Sequence, residues 1–162
     1  MQAVLVLKLL ILLAVANGAP VIAKRVLGDR LAWPLDGDAR FFDGRPLFGA
    51  SKTIRGIVLA VLGTSVVAPL LGLTLTTGAL IGLGAMGGDL LSSFIKRRLA
   101  LKPSSRATGL DQVPESLIPV LLCRQELALD AADIVAVVVL FFVGEVVLSR
   151  LLFQLRIRDR PY

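Results

Sequence analysis

The chain has 162 residues, enough for one domain, and with 56% hydrophobic residues and a mean hydropathy of +0.81 it is too apolar for an ordinary soluble one. It carries 18 Lys+Arg against 12 Asp+Glu, no histidine and one cysteine, Cys123. That composition excludes histidine bases, Ser-His-Asp triads, imidazole metal sites, disulfides and Cys-x-x-Cys redox chemistry, and leaves hard cations on carboxylate oxygens, magnesium above all, as the candidate metals.

The first apolar run, Val4 to Ala23, is interrupted by Lys8 and Asn17. Ala14-Val15-Ala16 resembles a signal-peptide cleavage site, but Lys24 and Arg25 follow so closely that a retained span is expected. Gly56 to Gly88 holds no charged residue, more than one span of ~20 residues needs. Pro69, Gly72 and Leu73 to Gly78 break it, so two helices are expected as a hairpin, near 54–73 and 77–97. A fourth span is expected to start after Asp111 and run to Leu129, with Pro114, Glu115, Pro119 and Arg124 inside or beside it. The fifth, Ile134 to Phe153, is apolar apart from Glu145, for which Ser149 or Arg150 would be the natural partner.

Residues 24–55 hold seven Lys/Arg, 96–106 hold five and 150–160 hold four, so 16 of the 18 basic residues lie in three segments. Five spans put all three on one side, which the positive-inside rule makes cytoplasmic. The expected fold is an all-α polytopic membrane helix bundle of about five transmembrane helices, one domain over 1–162, with the N-terminus outside and the C-terminus cytoplasmic. The tail bases Arg156, Arg158 and Arg160 read as topology determinants and headgroup anchors.

Two of the basic segments contain more than charge. Phe41-Phe42-Asp43-Gly44-Arg45-Pro46-Leu47-Phe48-Gly49 reads as a loop whose phenylalanines could enter the interface, and Ser51-Lys52-Thr53 then opens the second helix. Hydroxyls, free N–H groups and the positive helix end favour an anion there, and Lys52 and Arg55 add full charges. A capped helix end with snorkelling basic side chains would use the same residues. Farther on, Gly78/Gly82 and Gly84/Gly88 have the small-x-x-x-small spacing of closely packed membrane helices. Asp89 follows, two turns or ~10 Å inside the cluster Lys96-Arg97-Arg98, with Ser93 and Lys96 on its face. A carboxylate within a span costs ~2.5–3.5 kcal/mol, so it needs either an ion pair with Lys96 or Arg97 or a metal or substrate. Asp111-Gln112 supplies either a helix cap or a second carboxylate beside Asp89, completing a hard-metal pair.

Asn17-Gly18-Ala19-Pro20, Asp43-Gly44-Arg45-Pro46-Leu47-Phe48-Gly49, Ser51-Lys52-Thr53 with Arg55-Gly56, Gly88-Asp89 through Lys96-Arg97-Arg98, and Asp111-Gln112 together resemble the CDP-archaeol synthase family over roughly residues 10–125. The resemblance implies a five-span cytidylyltransferase in the cell (inner) membrane, its active site at the cytoplasmic face. Such an enzyme joins CMP from CTP to a lipid phosphate and releases pyrophosphate, using magnesium. It implies Asp89 and Asp111 as metal ligands, catalytic together with Lys96. Phosphate binding would fall to Ser51, Lys52, Thr53, Arg55, Lys96 and Arg97, with Ser93 on the same face. Asp43 and Arg45 would order the loop or touch the nucleotide. The expected partners are CTP and a membrane lipid phosphate, not nucleic acid. Relatives tend to read Pro and an aromatic where this chain has Ala50 and Ile54, and a carboxylate where it has Pro114, with Glu115 one later. These departures leave open the number of metal ions and whether the acceptor is archaetidic-acid-like, phosphatidic acid or another lipid phosphate. A non-enzymatic transporter or scaffold would use Asn17 and Glu145 as a polar path, but no inverted repeat is visible and the polar motifs lie at one face.

Overall fold

The computed structural model describes residues 1–101 and 109–154, the side chains of 148–154 excepted. Among the described residues are five α-helices and no β-strand: α1 (Ala3–Leu27), α2 (Ile54–Leu70), α3 (Leu75–Arg98), α4 (Gln112–Leu122) and α5 (Ala131–Gln154). The bundle is all-α, as expected, and α1 and α3 are each long and apolar enough to cross a membrane. Residues 102–108, the tail bases after Gln154 and the side chains of Ser149 and Arg150 lie outside the described residues.

In α1, Leu9, Leu12, Leu13 and Ala16 are fully buried at i, i+3, i+4, i+7, and they pack against α2, α3 and α5. Val4, Leu7, Ile11 and Ile22 on the same helix stay exposed. A helix apolar all round with one packed stripe is what a lipid-facing bundle member requires. It runs past the expected end at Ala23 and places Lys24 and Arg25 in its last turn, where cations oppose the negative helix end.

The hairpin turns at Gly72, in the left-handed region at φ +70°, and the Leu73 N–H returns to the Ala68 carbonyl at 3.0 Å. That ends α2 at Leu70, short of the expected 73, and Thr74 starts α3 by accepting the Thr77 N–H at 2.9 Å.

α3 is the central helix and packs on α1, α2 and α4. Its glycines divide the contacts. A Cβ at Gly78 or Gly82 would strike the α2 backbone at Ser65 or Val61, and one at Gly84 would stand 2.6 Å from Pro119 Cα of α4. A Cβ at Gly88 would run into the Pro114 carbonyl, whereas one at Gly87 meets nothing within 4 Å. Gly84→Ala and Gly88→Ala are therefore each expected to destabilise the bundle by ~1–3 kcal/mol. Gly87→Ala should not, and thermal unfolding in detergent compares the three.

The fourth element departs from expectation. α4 ends at Leu122 instead of continuing to Leu129, and 123–128 form turns. Pro119 has no N–H to give the Glu115 carbonyl, and Arg124, Gln125 and Glu126 introduce charge and polarity directly after the helix. At 11 residues the helix is ~16 Å long, about half a hydrocarbon core. Those turns carry the chain on to the end of the bundle that holds the N-terminus. The Ala128 carbonyl accepts from Gln2 Nε2 at 3.1 Å, and Glu126 accepts from the Thr77 hydroxyl at 2.6 Å. The fully buried Asp133 accepts the Gln2 N–H at 2.7 Å, tying the N-terminus to α5. The N-terminus, the 71–74 turn and 123–130 thus share one end, opposite the C-terminal ends of α1 and α3.

Candidate active site

Residues 28–53 form a loop pinned to that opposite end. The Leu35 N–H bonds the Lys52 carbonyl at 2.8 Å and the Ile54 N–H bonds Trp33 at 3.1 Å, laying 33–35 beside 52–54. A hairpin follows, closed by the Phe41 N–H on Arg45 at 2.8 Å and the Leu47 N–H on Ala39 at 3.0 Å, with Gly44 at φ +73°. Asp36 organises its base. One carboxylate oxygen accepts the N–H groups of Phe48 and Gly49 at 2.9 and 3.0 Å, and the other accepts the Asp38 N–H at 3.2 Å. Partial burial raises the Asp36 pKa, but these N–H bonds outweigh it and hold the carboxyl below its ordinary value. A depressed folded pKa contributes stability above the unfolded value and loses it as pH falls through the folded one. Loop order, read as protection of the Phe48 and Gly49 amides from exchange, is expected to fall below pH ~4, and Asp36→Asn should lower it above that pH and remove the pH dependence.

The hairpin tip is clamped to α3. Arg98 pairs with Asp43 at 2.7 Å and donates to the Pro46 carbonyl at 2.6 Å, while Arg45 donates back to the Arg98 carbonyl at 2.5 Å. The Arg98 guanidinium also sits 4.8 and 4.9 Å from the Phe41 and Phe94 ring centroids. Asp43 and Arg45 therefore order the loop, one of the two roles expected of them. Arg98, which the sequence reading left in the general basic cluster, carries the clamp.

Held this way, the loop delivers Lys52 onto Asp89, the two side chains forming a part-buried ion pair. Lys96, seven residues after Asp89 on α3, forms the second, with Asp111 at 2.6 Å. Asp89 thus takes its cation from another segment, and Lys96 pairs across to the start of α4. Near Asp89 lies a third carboxylate: Glu115, nearly fully buried one turn into α4, which accepts Asn17 Nδ2 at 3.0 Å. In the sequence Glu115 stands out only as a carboxylate one place beyond the position relatives use, and it is not among the expected site residues. A carboxylate inside an apolar helix is itself a signal, by the argument applied to Asp89. Asp111 sits with Lys96, and Glu115 is a carboxylate neighbouring Asp89.

The other expected residues surround these. Ser51 is exposed beside Lys52, and Thr53 caps α2 by accepting the Gly56 N–H at 3.2 Å. Arg55 donates to the carbonyls of Gly28, at 3.1 Å, and Arg30. Ser93 is buried on α3 between Asp89 and Lys96, and its neighbour Ser92 reaches the Leu110 carbonyl at 2.6 Å, fixing the approach to Asp111. Arg97 is buried and its carbonyl accepts Arg45 Nη1 at 3.4 Å.

Among the described residues no three metal-ligating side chains converge as a ready cage. Magnesium does not require one: it binds through one or two carboxylates and takes its remaining ligands from water and substrate phosphates. Asp89 and Asp111 each already face a cation, and that donor set fits such an ion.

A membrane bundle that gathers lysines and carboxylates at one end can bring two repelling polyanions together there, and the class is an intramembrane enzyme of phosphorylated substrates. The CarS-like CDP-archaeol synthase family model matches residues 2–162. The chain belongs to the CDP-archaeol synthase family, and it is an enzyme of the cytidylyltransferase kind. It is 35% identical over 154 residues to the CDP-archaeol synthase of Sulfurisphaera tokodaii, covering 91% of this chain and 89% of that one. It is likewise 35% identical over 153 residues to that of Pyrobaculum calidifontis, covering 91% of both. With the Hyperthermus butylicus CDP-archaeol synthase it shares 43% identity over 105 residues, 60% of this chain and 59% of that one. A solved intramembrane enzyme for archaeal membrane lipid biosynthesis superposes with a TM-score of 0.70 at 26% identity, covering 86% of this chain and 91% of its own.

Proposed function

We propose that this chain transfers CMP from CTP to the phosphate of an archaetidic-acid-like lipid, 2,3-bis-O-geranylgeranylglyceryl phosphate or a close relative, giving CDP-lipid and pyrophosphate. The observation that carries this reading is the pair of lysine–carboxylate contacts, Lys52–Asp89 and Lys96–Asp111, at the basic end of the bundle.

A lipid phosphate oxygen attacks the α-phosphorus of CTP. The bond from that phosphorus to the bridging oxygen breaks, and its electrons leave with pyrophosphate. With a second pKa near ~6, a phosphate monoester is already an anionic nucleophile at neutral pH. A chain without histidine therefore lacks nothing the step needs. Lys52, Lys96 and Arg97 offset the phosphate charge, with Ser51 and the N-terminus of α2 behind them. Arg55 and Thr53 act one step removed, by fixing the loop and the helix end that present Lys52. Asp89 and Asp111 would hold a magnesium ion, which would neutralise charge on the triphosphate and at the α-phosphate.

The basic end faces the cytoplasm in this reading, in a multi-pass protein of the cell membrane. In a Cys123→Ser background, Ser51→Cys should label in inverted vesicles only, and Gln125→Cys, at the opposite end, in intact cells only. Labelling in the reverse sense overturns the orientation. The test of function is purified protein with radiolabelled CTP and either the ether-lipid phosphate or phosphatidic acid, with magnesium or with chelator. Labelled CDP-lipid should form with the ether-lipid phosphate and only with magnesium. Product from phosphatidic acid alone would change the acceptor, and no lipid product at all would overturn the reading.

A further inference from the structure

We propose that Lys52 and Lys96 are resident cations on the two metal-binding carboxylates, and that they exchange places with a divalent cation when the metal–triphosphate complex enters. The exchange rests on the proposed function and adds an order of events to it: the divalent cation binds with the nucleotide, not ahead of it.

Both ion pairs are part-buried, the Lys52 and Asp89 side chains 20% and 23% exposed and those of Lys96 and Asp111 9% and 20%. An ammonium and a divalent ion compete for the same carboxylate oxygens. Hydrated magnesium sheds water reluctantly, and with no group of three metal-ligating side chains among the described residues to favour it, the resident lysine holds the position. A lysine displaced from its carboxylate also needs another anion to turn to. The triphosphate removes both obstacles. Its oxygens complete the coordination of the arriving ion, and they give each displaced ammonium a new anion. Every charge stays paired, carboxylate to divalent ion and phosphate to lysine.

The residue types support the exchange. Arginines hold the fixed joints: Arg55 on the carbonyls of Gly28 and Arg30, Arg45 on that of Arg98, and Arg98 on Asp43 and Pro46. Both carboxylates at the proposed metal positions instead meet lysine, a point charge on a flexible four-carbon stem that can swing to a nearby anion. The chain has 13 Arg and five Lys, so two lysines at these two positions run against its own composition.

The experiment uses the full chain in detergent, with Mn2+ as the probe. Bound ion is read from loss of the free-ion paramagnetic resonance signal, without lipid acceptor, so no turnover enters. Wild type should bind Mn2+ alone weakly and bind it at least tenfold more tightly with CTP. Lys52→Gln and Lys96→Gln should each bind nucleotide-free Mn2+ at least tenfold more tightly than wild type and bind CTP at least tenfold more weakly. Adding Asp89→Asn to Lys52→Gln should abolish the gain. Lys52→Met and Lys96→Met, which keep the stem without the charge, repeat the measurement should either glutamine variant unfold. Unchanged or weaker nucleotide-free Mn2+ binding in both lysine variants, with Mn2+–CTP binding still weakened by Asp89→Asn, overturns the exchange and leaves the proposed function standing. A gain in one variant alone overturns it for the other pair. Wild-type Mn2+–CTP binding by both Asp89→Asn and Asp111→Asn overturns the metal assignment and the exchange together.

Discussion

Asp89→Asn and Asp111→Asn are each expected to lower cytidylyl transfer by roughly a hundredfold or more, about 2.7 kcal/mol of transition-state stabilisation at 1.36 kcal/mol per decade. Asparagine keeps the volume and one oxygen but removes the anionic charge that a hard cation needs. Each substitution also releases a lysine, Lys52 or Lys96, from its partner. Stability must therefore be measured beside activity, by thermal unfolding of the same detergent preparations. A loss of rate at an unchanged unfolding temperature is the expected pattern. Near-normal turnover of either variant at saturating magnesium would remove that residue from the metal site. Asp111→Asn is the more searching case, because Asp111 meets Lys96 while Glu115 is a carboxylate neighbouring Asp89.

The long apolar runs made most of the bundle legible. α1, α2, α3 and α5 follow from uninterrupted hydrophobic length and from the turn residues between α2 and α3, and their boundaries shift only by a few residues. α4 was harder to read because its end depends on partners distant in sequence. Glu126 finds Thr74 and Thr77, and Gln2 finds Ala128, contacts spanning 49 to 126 residues that no local window contains. The site shows the same division. Lys52, Asp89, Lys96 and Asp111 stood out by type, since charge within or at the edge of a span demands an explanation. Which lysine meets which carboxylate did not, because pairing is a property of helix packing. Asp36 reads in sequence as an ordinary turn residue beside Gly37 and Asp38. Its bonds to the Phe48 and Gly49 amides lie 12 and 13 residues ahead. Glu115 stood one place beyond the carboxylate position of relatives, between Pro114 and Pro119, and that offset kept it out of the expected site.

Lys52→Gln and Arg55→Gln should separate two roles that the sequence motif merges. Lys52 ends in a charge at Asp89, positioned to move to an incoming phosphate, and its removal should raise the KM for CTP or lower kcat by tenfold or more, a loss of ~1.4 kcal/mol or above. Its unfolding temperature should change little, because an ion pair of this exposure contributes modestly to stability. Arg55 ends on two backbone carbonyls that hold the start of the 28–53 loop against α2. Its replacement should loosen that loop, costing about 1 kcal/mol or more as charge-assisted bonds are lost, and activity should fall only in step with the loss of order. Arg55→Lys, which can still reach one carbonyl, should recover part of both. Steady-state kinetics and thermal unfolding in detergent, where membrane insertion no longer matters, read the two quantities on the same sample. A tenfold rise in KM for Arg55→Gln at an unchanged unfolding temperature would make Arg55 a phosphate ligand. Unaltered kinetics for Lys52→Gln would reduce Lys52 to a topology signal and leave Lys96 and Arg97 as the basic residues that hold the triphosphate.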